Sequence, residues 1–464
     1  MTQGGVVLCV DVGSTFTKAG LVDLVDGRLL ATADHPTTLT TDVLDGLDAC
    51  REELARRDAR ATGAEVLACS SAGGGLRIAV VGNEELVTAE AGRRVALSSG
   101  GKVVAVVPAA TTPDVGAAVL AADPDVVLLT GGTDGGNAEA VVAAAGALGA
   151  WDGPVVVAAN ADAGDAVAAA LGGRPHVVTA NVVPRVGELA PGPARQAIRE
   201  MFLAHVIGGK HLSRRVDRAG RSFAELVRGA TPDVVLAGVE LLARGLDPDR
   251  PGVGDVVVVD VGGATTDVHA VVEVDPTAAG EHGLAREVVA PVPVARTVEA
   301  DLGMRWSAPT TVEVGIGAGL LPDDPALHEP ARRRAADPGF LDAAACEAAY
   351  DVRLAAVAAG VAVRRHAGRA RVVLGPGGRV VERTGTDLRE VDLVVGSGGV
   401  LRHAGPEAAV QVLAAVTGPV EGGWQLPERA RVCVDRDYVL AAAGLLRERH
   451  PGAAYRLVRR LAAS

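Results

Sequence analysis

Short apolar runs rich in valine recur along the chain, and most give way to glycine and then to an alanine-rich stretch. The clearest are Val6–Val10, Val103–Val107, Val126–Leu129, Val155–Ala158, Val177–Thr179, Val234–Leu236, Val256–Val259, Val372–Leu374 and Leu393–Val395. Uninterrupted runs of this kind, each followed by a helix-like stretch, predict parallel strands buried on both faces in α/β units. Four of them fall between Lys102 and Val183, so a small α/β subdomain is expected over about 102–190. Segment 193–230, with Arg195, Ile198, Phe202, Val206 and Leu212, reads as mostly helical. Prolines and acidic residues in 320–350 predict loops leading into a helix from about Asp342.

A longer echo runs through this pattern. Val7–Thr15 (VLCVDVGST) is matched by Val257–Thr265 (VVVDVGGAT), about 249 residues later. In each copy a strand ends in Asp, followed by Val, Gly and small or hydroxyl residues. In Asp11-Val12-Gly13-Ser14-Thr15-Phe16-Thr17-Lys18, Gly13 permits a tight turn whose backbone N–H groups can cradle phosphate. Ser14, Thr15 and Thr17 add hydroxyl donors, and Lys18 a point charge suited to a β- or γ-phosphate. Asp11 repels phosphate and fits better as a holder of Mg²⁺, directly or through water. The second copy supplies Asp260, Gly262, Gly263 and Thr265, and Asp267 opens the next strand. The bland alternative for each is a polar β-hairpin; the occurrence of two copies favours two related halves facing one ligand. A third piece, Gly396-Ser397-Gly398-Gly399, follows a strand and opens a helix, a place where backbone lies close to a flat adenine or ribose. A fourth, Asp435 to Gly444, is an acidic start to an alanine-rich helix, equally a well-capped core helix.

Composition narrows the function classes. The 464 residues suffice for two or three domains, with 48% apolar and 22% charged residues. Only ten residues are aromatic (Trp 3, Tyr 3, Phe 4), which disfavours base-stacking recognition of nucleic acid. The net charge of −12 repels nucleic acid and anionic membranes, so neither is expected as a partner. Lysines number three, Lys18, Lys102 and Lys210, which singles out the one in the first glycine turn. Cys9, Cys50, Cys69, Cys346 and Cys433 are odd in number and contain no C-x-x-C pair, which fits reduced, mostly buried thiols in a cytoplasmic protein. No secretory signal or clean membrane span stands out.

The four pieces, in this order, resemble the ATPase superfamily of actin, the heat-shock 70 chaperones and the sugar kinases. Asp11 to Lys18 has the spacing of the actin loop, and Asp260 to Asp267 resembles the chaperones' Asp-x-Gly-Gly-x-Thr-x-Asp. The resemblance implies an α/β fold of two actin-like (ribonuclease H-like) halves around a nucleotide cleft, with an additional α/β subdomain. The halves are expected at 1–245, including 102–190 and 193–230, and at 246–464. It also implies ATP and Mg²⁺ as ligands. Asp11 and Asp260 would be catalytic and metal-holding. Gly13, Ser14, Thr15, Lys18, Gly262, Gly263, Thr265, Gly396, Ser397, Gly398 and Gly399 would bind the nucleotide.

Four further segments, Cys69–Gly82, Leu128–Asn137, Arg296–Arg305 and Gly375–Arg379, resemble the glutamate mutase accessory protein family, often called GlmL or MutL and unrelated to the mismatch-repair protein of that name. That likeness implies an ATP-dependent reactivator whose partner is an adenosylcobalamin-dependent mutase or aminomutase. A small-molecule kinase and a non-hydrolysing ATP-gated scaffold are the alternatives. Within these segments Thr130–Asn137 is a glycine-rich loop, open to a phosphate or partner role or to that of a plain turn. Thr297, Glu299 and Asp301 read better as a helix cap than as a water-orienting group. Asp267-Val268-His269 begins like the cobalamin-binding Asp-x-His-x-x-Gly, but Val272 stands in the glycine position, so no cobalamin site is expected there.

Overall fold

Three five-stranded sheets organise the computed structural model, which describes residues 5–72, 75–84, 88–209, 211–273, 292–341, 344–375 and 378–463. The strands of the first half of the chain are β1 (Val6–Val12), β2 (Phe16–Asp23), β3 (Leu29–Pro36), β4 (Glu65–Ser70), β5 (Leu76–Gly82), β6 (Gly101–Pro108), β7 (Val126–Leu129), β8 (Val155–Val157), β9 (His176–Val178) and β10 (Val227–Ala230). A short ribbon of β11 (Gly245–Asp247) and β12 (Arg250–Pro251) follows. Then come β13 (Val256–Val261), β14 (Thr266–Val271), β15 (Val294–Glu299), the hairpin β16 (Arg369–Gly375) and β17 (Gly378–Thr384), β18 (Leu393–Ser397) and β19 (Arg431–Val434).

The chain divides into two compact units. One is built chiefly from residues up to Gly238 together with Ala441–Leu457, the other chiefly from Val239 to Leu440 together with Val458 onward. The first unit's main sheet runs β10-β4-β1-β2-β3, with β1–β2–β3 antiparallel and β4 and β10 added in parallel. The second unit's sheet runs β19-β18-β13-β14-β15 with the same directions. Counting strands within each sheet, both follow the order 3-2-1-4-5, the ribonuclease H-like arrangement of actin-type ATPases. The first unit also carries an all-parallel sheet, β6-β5-β7-β8-β9, a doubly wound order of 2-1-3-4-5.

Burial explains the valine runs. Side chains alternate across a strand. In the parallel sheet one set, Ile78, Val80, Val126 and Leu128, packs into the first unit's main core. The alternate set, Ala79, Val81, Val127 and Leu129, packs into a separate core beneath the helices Val115–Ala122 and Glu139–Ala147. In the central strands β7 and β8 both faces are dry and every residue is apolar, and each buried Val or Leu is worth about 1.5–3 kcal/mol.

Several expectations need correction. The runs at Val6–Val10 and Val256–Val259 lie in mixed rather than all-parallel sheets, because each is followed at once by a hairpin partner. Val234–Leu236 is helical, inside Thr231–Arg244; Thr231-Pro232-Asp233 is a helix start, and the apolar stretch runs on too far for a strand. Val372–Leu374 belongs to an antiparallel hairpin. The 193–230 region is helical in Pro191–Met201 and its continuation to Gly209, but it ends in strand β10. The parallel subdomain starts with β5, before residue 102. Asp342 lies outside the described residues, and the helix there runs Ala345–His366. Of the cysteines, Cys9, Cys50 and Cys69 are buried, Cys433 is half-buried and Cys346 is exposed, all free. Among the described residues no helix is long and apolar enough to cross a membrane.

Candidate functional site

In the first unit the β1–β2 register sets Asp11 opposite Lys18 and Val12 opposite Thr17. Between them the chain turns at Gly13, whose N–H donates to the Phe16 carbonyl at 3.1 Å. A Cβ at Gly13 would lie 2.7 Å from that oxygen, so the turn closes this tightly only with glycine. Thr37 braces it: its hydroxyl donates to the Gly13 carbonyl at 2.8 Å and its N–H to the Thr15 carbonyl at 2.8 Å. Ser14 and Thr15 are exposed. Thr17, expected to offer a hydroxyl, is buried with its Oγ1 3.2 Å from that of Thr37, so its role is structural. The Asp11 carboxylate is buried at 8% exposure. It accepts from the Thr231 hydroxyl at 2.6 Å, touches the Cys69 thiol at 3.6 Å and pairs with Lys18 Nζ at 3.9 Å. Burial, reinforced by the Asp11 charge, pushes the Cys69 thiol well above its ordinary value, which keeps it protonated and a donor. Thr231 reaches Asp11 because it begins the helix leaving β10, two strands away from β1.

The second unit repeats this construction. Asp260 lies opposite Asp267 and Val261 opposite Thr266, and Gly262 N–H closes the turn on the Thr265 carbonyl at 2.9 Å. A Cβ at Gly262 would meet that oxygen at 2.8 Å. On the parallel side Asp260 pairs with Ser397 as Asp11 pairs with Cys69. The difference lies across the hairpin, where Asp267 stands in the place of Lys18. Arg296 neutralises Asp267, with Nε at 3.0 Å and Nη2 at 2.6 Å from its Oδ1. The Thr265 hydroxyl also lies 3.3 Å from the Asp267 carboxylate.

Beside this turn the chain leaves β18 through the glycine loop. Gly398 has φ +103°, and a Cβ there would sit 2.2 Å from the Val261 carbonyl, while Gly399 faces open space. Ser397 is buried. Gly396 faces inward, where a Cβ would press on Leu401 and Leu413, so it serves packing. The helix Val439–Leu446 is capped by Asp435, whose two oxygens accept from the N–H groups of Val439 and Leu440 at 2.8 and 3.0 Å. Burial nevertheless raises the Asp435 pKa. In the first unit the Gly444 position lies against the Val234 carbonyl, a close approach that small residues permit. Among the described residues no group of three or more His, Cys, Asp or Glu is gathered as a metal cage.

Residues 7–461 match the family model described as MutL protein. Protein MutL of Clostridium tetanomorphum is 34% identical over 470 residues, covering 98% of both chains. The chain belongs to the MutL protein family. Among solved structures, similarity extends to nucleotide-free acetone carboxylase, at 16% identity and a TM-score of 0.39, over 95% of this chain and 70% of that one. It extends also to a ROK hexokinase from Thermus thermophilus, at 14% identity and a TM-score of 0.27, over 99% and 100%.

The segments that resembled this family occupy strand ends and the approach to the second turn. Cys69 and Ser70 end β4 beside Asp11 and Val12; Gly73 and Gly74 lie outside the described residues, as do Pro376 and Gly377. Thr130–Asn137 follows β7 and is pinned by Asn160, which donates to the Gly136 carbonyl at 3.1 Å, and by Asn181, which donates to the Gly132 carbonyl at 2.9 Å. Arg296–Arg305 forms β15 and the segment that grips the second turn. There Met304 N–H donates to the Gly262 carbonyl at 3.0 Å and Arg305 N–H to that of Gly263 at 2.7 Å. Thr297, Glu299 and Asp301 are therefore not a helix cap. Thr297 and Glu299 lie on β15, and Arg365 holds Glu299 and Asp301 at 2.6 and 2.8 Å. His269 is buried in the middle of β14. Sequence reasoning missed Thr231 and the pairing of Arg296 with Asp267; Thr231 carried a signal in the helix start Thr-Pro-Asp, and Arg296 only as the first residue of a family-like segment.

Proposed function

We propose that this chain is an ATP-binding and ATP-hydrolysing accessory protein that reactivates an adenosylcobalamin-dependent mutase or aminomutase. One observation carries the nucleotide part: two sheets of identical strand order each place Asp last but one in their first strand and turn through a glycine that must lack a Cβ. The residues suit a magnesium triphosphate. Each unit offers one strand-end carboxylate and adjacent hydroxyls, a sparse donor set suited to an ion that keeps most of its waters. Asp11 and Asp260 would hold the metal, which when bound would neutralise phosphate charge. Gly13 and Gly262 would serve by closing the turns with their own N–H groups, while the backbone N–H groups of Ser14, Thr15 and Gly263, with the Thr265 hydroxyl, would bind phosphate oxygens. Lys18 would exchange its pairing with Asp11 for phosphate, and Ser397, Gly398 and Gly399 would line the adenosine. Thr231, as hydrogen-bond donor, holds the Asp11 carboxylate in one orientation.

The mutase part rests on membership of the MutL family and on the likeness of its motifs. A neighbouring mutase inactivated by turnover, given this protein, fresh adenosylcobalamin, Mg²⁺ and ATP, is expected to recover activity, and with a non-hydrolysable analogue it is not. Recovery with neither, together with ATP-dependent phosphorylation of a metabolite, would replace this function with a kinase. A single-turnover assay with labelled ATP separates hydrolysis from mere binding.

A further inference from the structure

Of the ten aromatic residues, Phe16 and Trp306 are the two that stand exposed, at 40% and 50%, and each lies at one of the glycine turns. Phe16 closes the first turn through its own carbonyl. Trp306 is 41 positions beyond Thr265 in sequence yet reaches the second turn, where its ring lies 3.2 Å from the position a Gly263 Cβ would take. The backbone carrying it is fixed. Besides the bonds of Met304 and Arg305 to the turn, the Ser307 hydroxyl donates to the Ala264 carbonyl at 2.6 Å. Gly303 packs where a Cβ would fall 2.7 Å from the Gly263 carbonyl. Arg305 is 9% exposed and directs its guanidinium to both oxygens of Asp351 at 3.4 Å. Trp151 is buried and Trp424 is covered in part by Arg369, so elsewhere the chain shelters its indoles. A half-exposed tryptophan on a rigid mount leaves a large apolar face wet until something covers it.

We propose that Trp306 lines the nucleotide site of the second unit, packing against the triphosphate end of the ligand at the Gly262–Gly263 turn and excluding water from it. This rests on the nucleotide function proposed for that turn. An apolar wall beside backbone N–H donors strengthens their hydrogen bonds to phosphate oxygens, because water no longer competes for them. The indole N–H adds one donor that phenylalanine lacks.

The test uses the full chain with Trp151→Phe and Trp424→Phe, which leaves Trp306 as its one indole, titrated with ATP and Mg²⁺ by fluorescence. Calorimetry runs in parallel on the unsubstituted chain, Trp306→Ala and Trp306→Phe. The emission is expected to shift and saturate at the calorimetric Kd. Trp306→Ala is expected to raise Kd about tenfold, equal to about 1.4 kcal/mol, and Trp306→Phe to restore most of it. Unchanged emission on a chain that binds ATP by calorimetry overturns the assignment and leaves the nucleotide function standing, as does an unchanged Kd in Trp306→Ala. Absence of binding heat in the unsubstituted chain overturns both. The fluorescence arm keeps Trp306 in place, so it decides the matter even if Trp306→Ala fails to fold.

Discussion

Single side chains around the two turns are tied down by specific partners, and those partners give measurable handles. Thr231 donates to the buried Asp11 carboxylate at 2.6 Å, a charge-assisted bond worth about 1.5–3 kcal/mol. Thr231→Val keeps the shape of the side chain and removes the donor. It is expected to lower the stability of the first unit by about 2 kcal/mol in urea unfolding and to slow ATP hydrolysis; unchanged stability would mean that water replaces the hydroxyl. In the second unit His269 and His366 are buried and neutral. Burial pushes His366 down to about 4 from 6.5, and pushes His269 well below its ordinary value. A base depressed in the folded state binds fewer protons folded than unfolded. Its contribution to stability is therefore complete above pH 6.5 and is lost as pH falls toward the folded value. For His366 the shift corresponds to about 3 kcal/mol lost between pH 6.5 and 4. His366 Nδ1 lies 3.0 Å from the Thr297 hydroxyl, and the urea midpoint of His366→Asn, whose side chain can still bond that hydroxyl, is expected to fall less over that interval than that of the unsubstituted chain. Equal slopes would show that His366 finds a proton acceptor on charging.

At the scale of elements, strands buried on both faces are legible and edge strands are not. Val126–Leu129 is a strand over the same four residues that its apolar run predicts, because both registers of β7 face dry cores. Leu29–Pro36 at the sheet edge reads LLATADHP, half-exposed and without a run, and the pattern gives no hint of it. Val234–Leu236 misleads because a three-residue window of Val and Leu fits either period, and only the continuation to Arg244 decides for helix. The Asp–glycine turns are legible for a different reason. Their geometry needs particular residues, glycine where a Cβ would strike a carbonyl, so the requirement is written in the sequence itself. Gly398 is the strictest case, at φ +103° with the Val261 carbonyl 2.2 Å from a Cβ position. Gly398→Ala is expected to cost the second unit about 2–3 kcal/mol and to weaken nucleotide binding, read by thermal unfolding and calorimetry. A different buried device joins the helices His328–Ala336 and Ala345–His366. Arg334, fully buried, holds Asp351 at 2.7 Å and Glu347 at 2.9 Å. Arg334→Met removes the cation that the two carboxylates share and leaves Asp351 to Arg305 and Glu347 to Arg333, so a loss of about 1.5–3 kcal/mol is expected on chemical denaturation.

For the whole molecule, the telling feature is a sheet built twice to one strand order, whose copies differ in charge at the cross-strand pair beside the turn. Asp11 faces a cation, Lys18, whereas Asp260 faces a carboxylate, Asp267, that borrows its cation from Arg296 on the neighbouring strand. The copies therefore differ in charge at the rim of their turns, and the proposed nucleotide residues are drawn from both units. A ligand that binds only the folded protein adds about 2.7 kcal/mol at 100 times its Kd, enough to raise the midpoint of thermal unfolding by a few degrees in ATP and Mg²⁺. Asp11→Ala and Asp260→Ala are each expected to fold, since both carboxylates stand at strand ends, and each to abolish hydrolysis and the Mg²⁺-dependent part of the thermal shift. Lys18→Ala is expected to weaken triphosphate binding relative to adenosine while leaving the magnesium requirement. If Asp260→Ala keeps the full shift and turnover while Asp11→Ala loses both, the first turn alone binds the nucleotide and the second copy is structural. If neither substitution changes the shift, the strand-end aspartates do not hold the metal. The glycine turns would then be hairpins required by the fold alone.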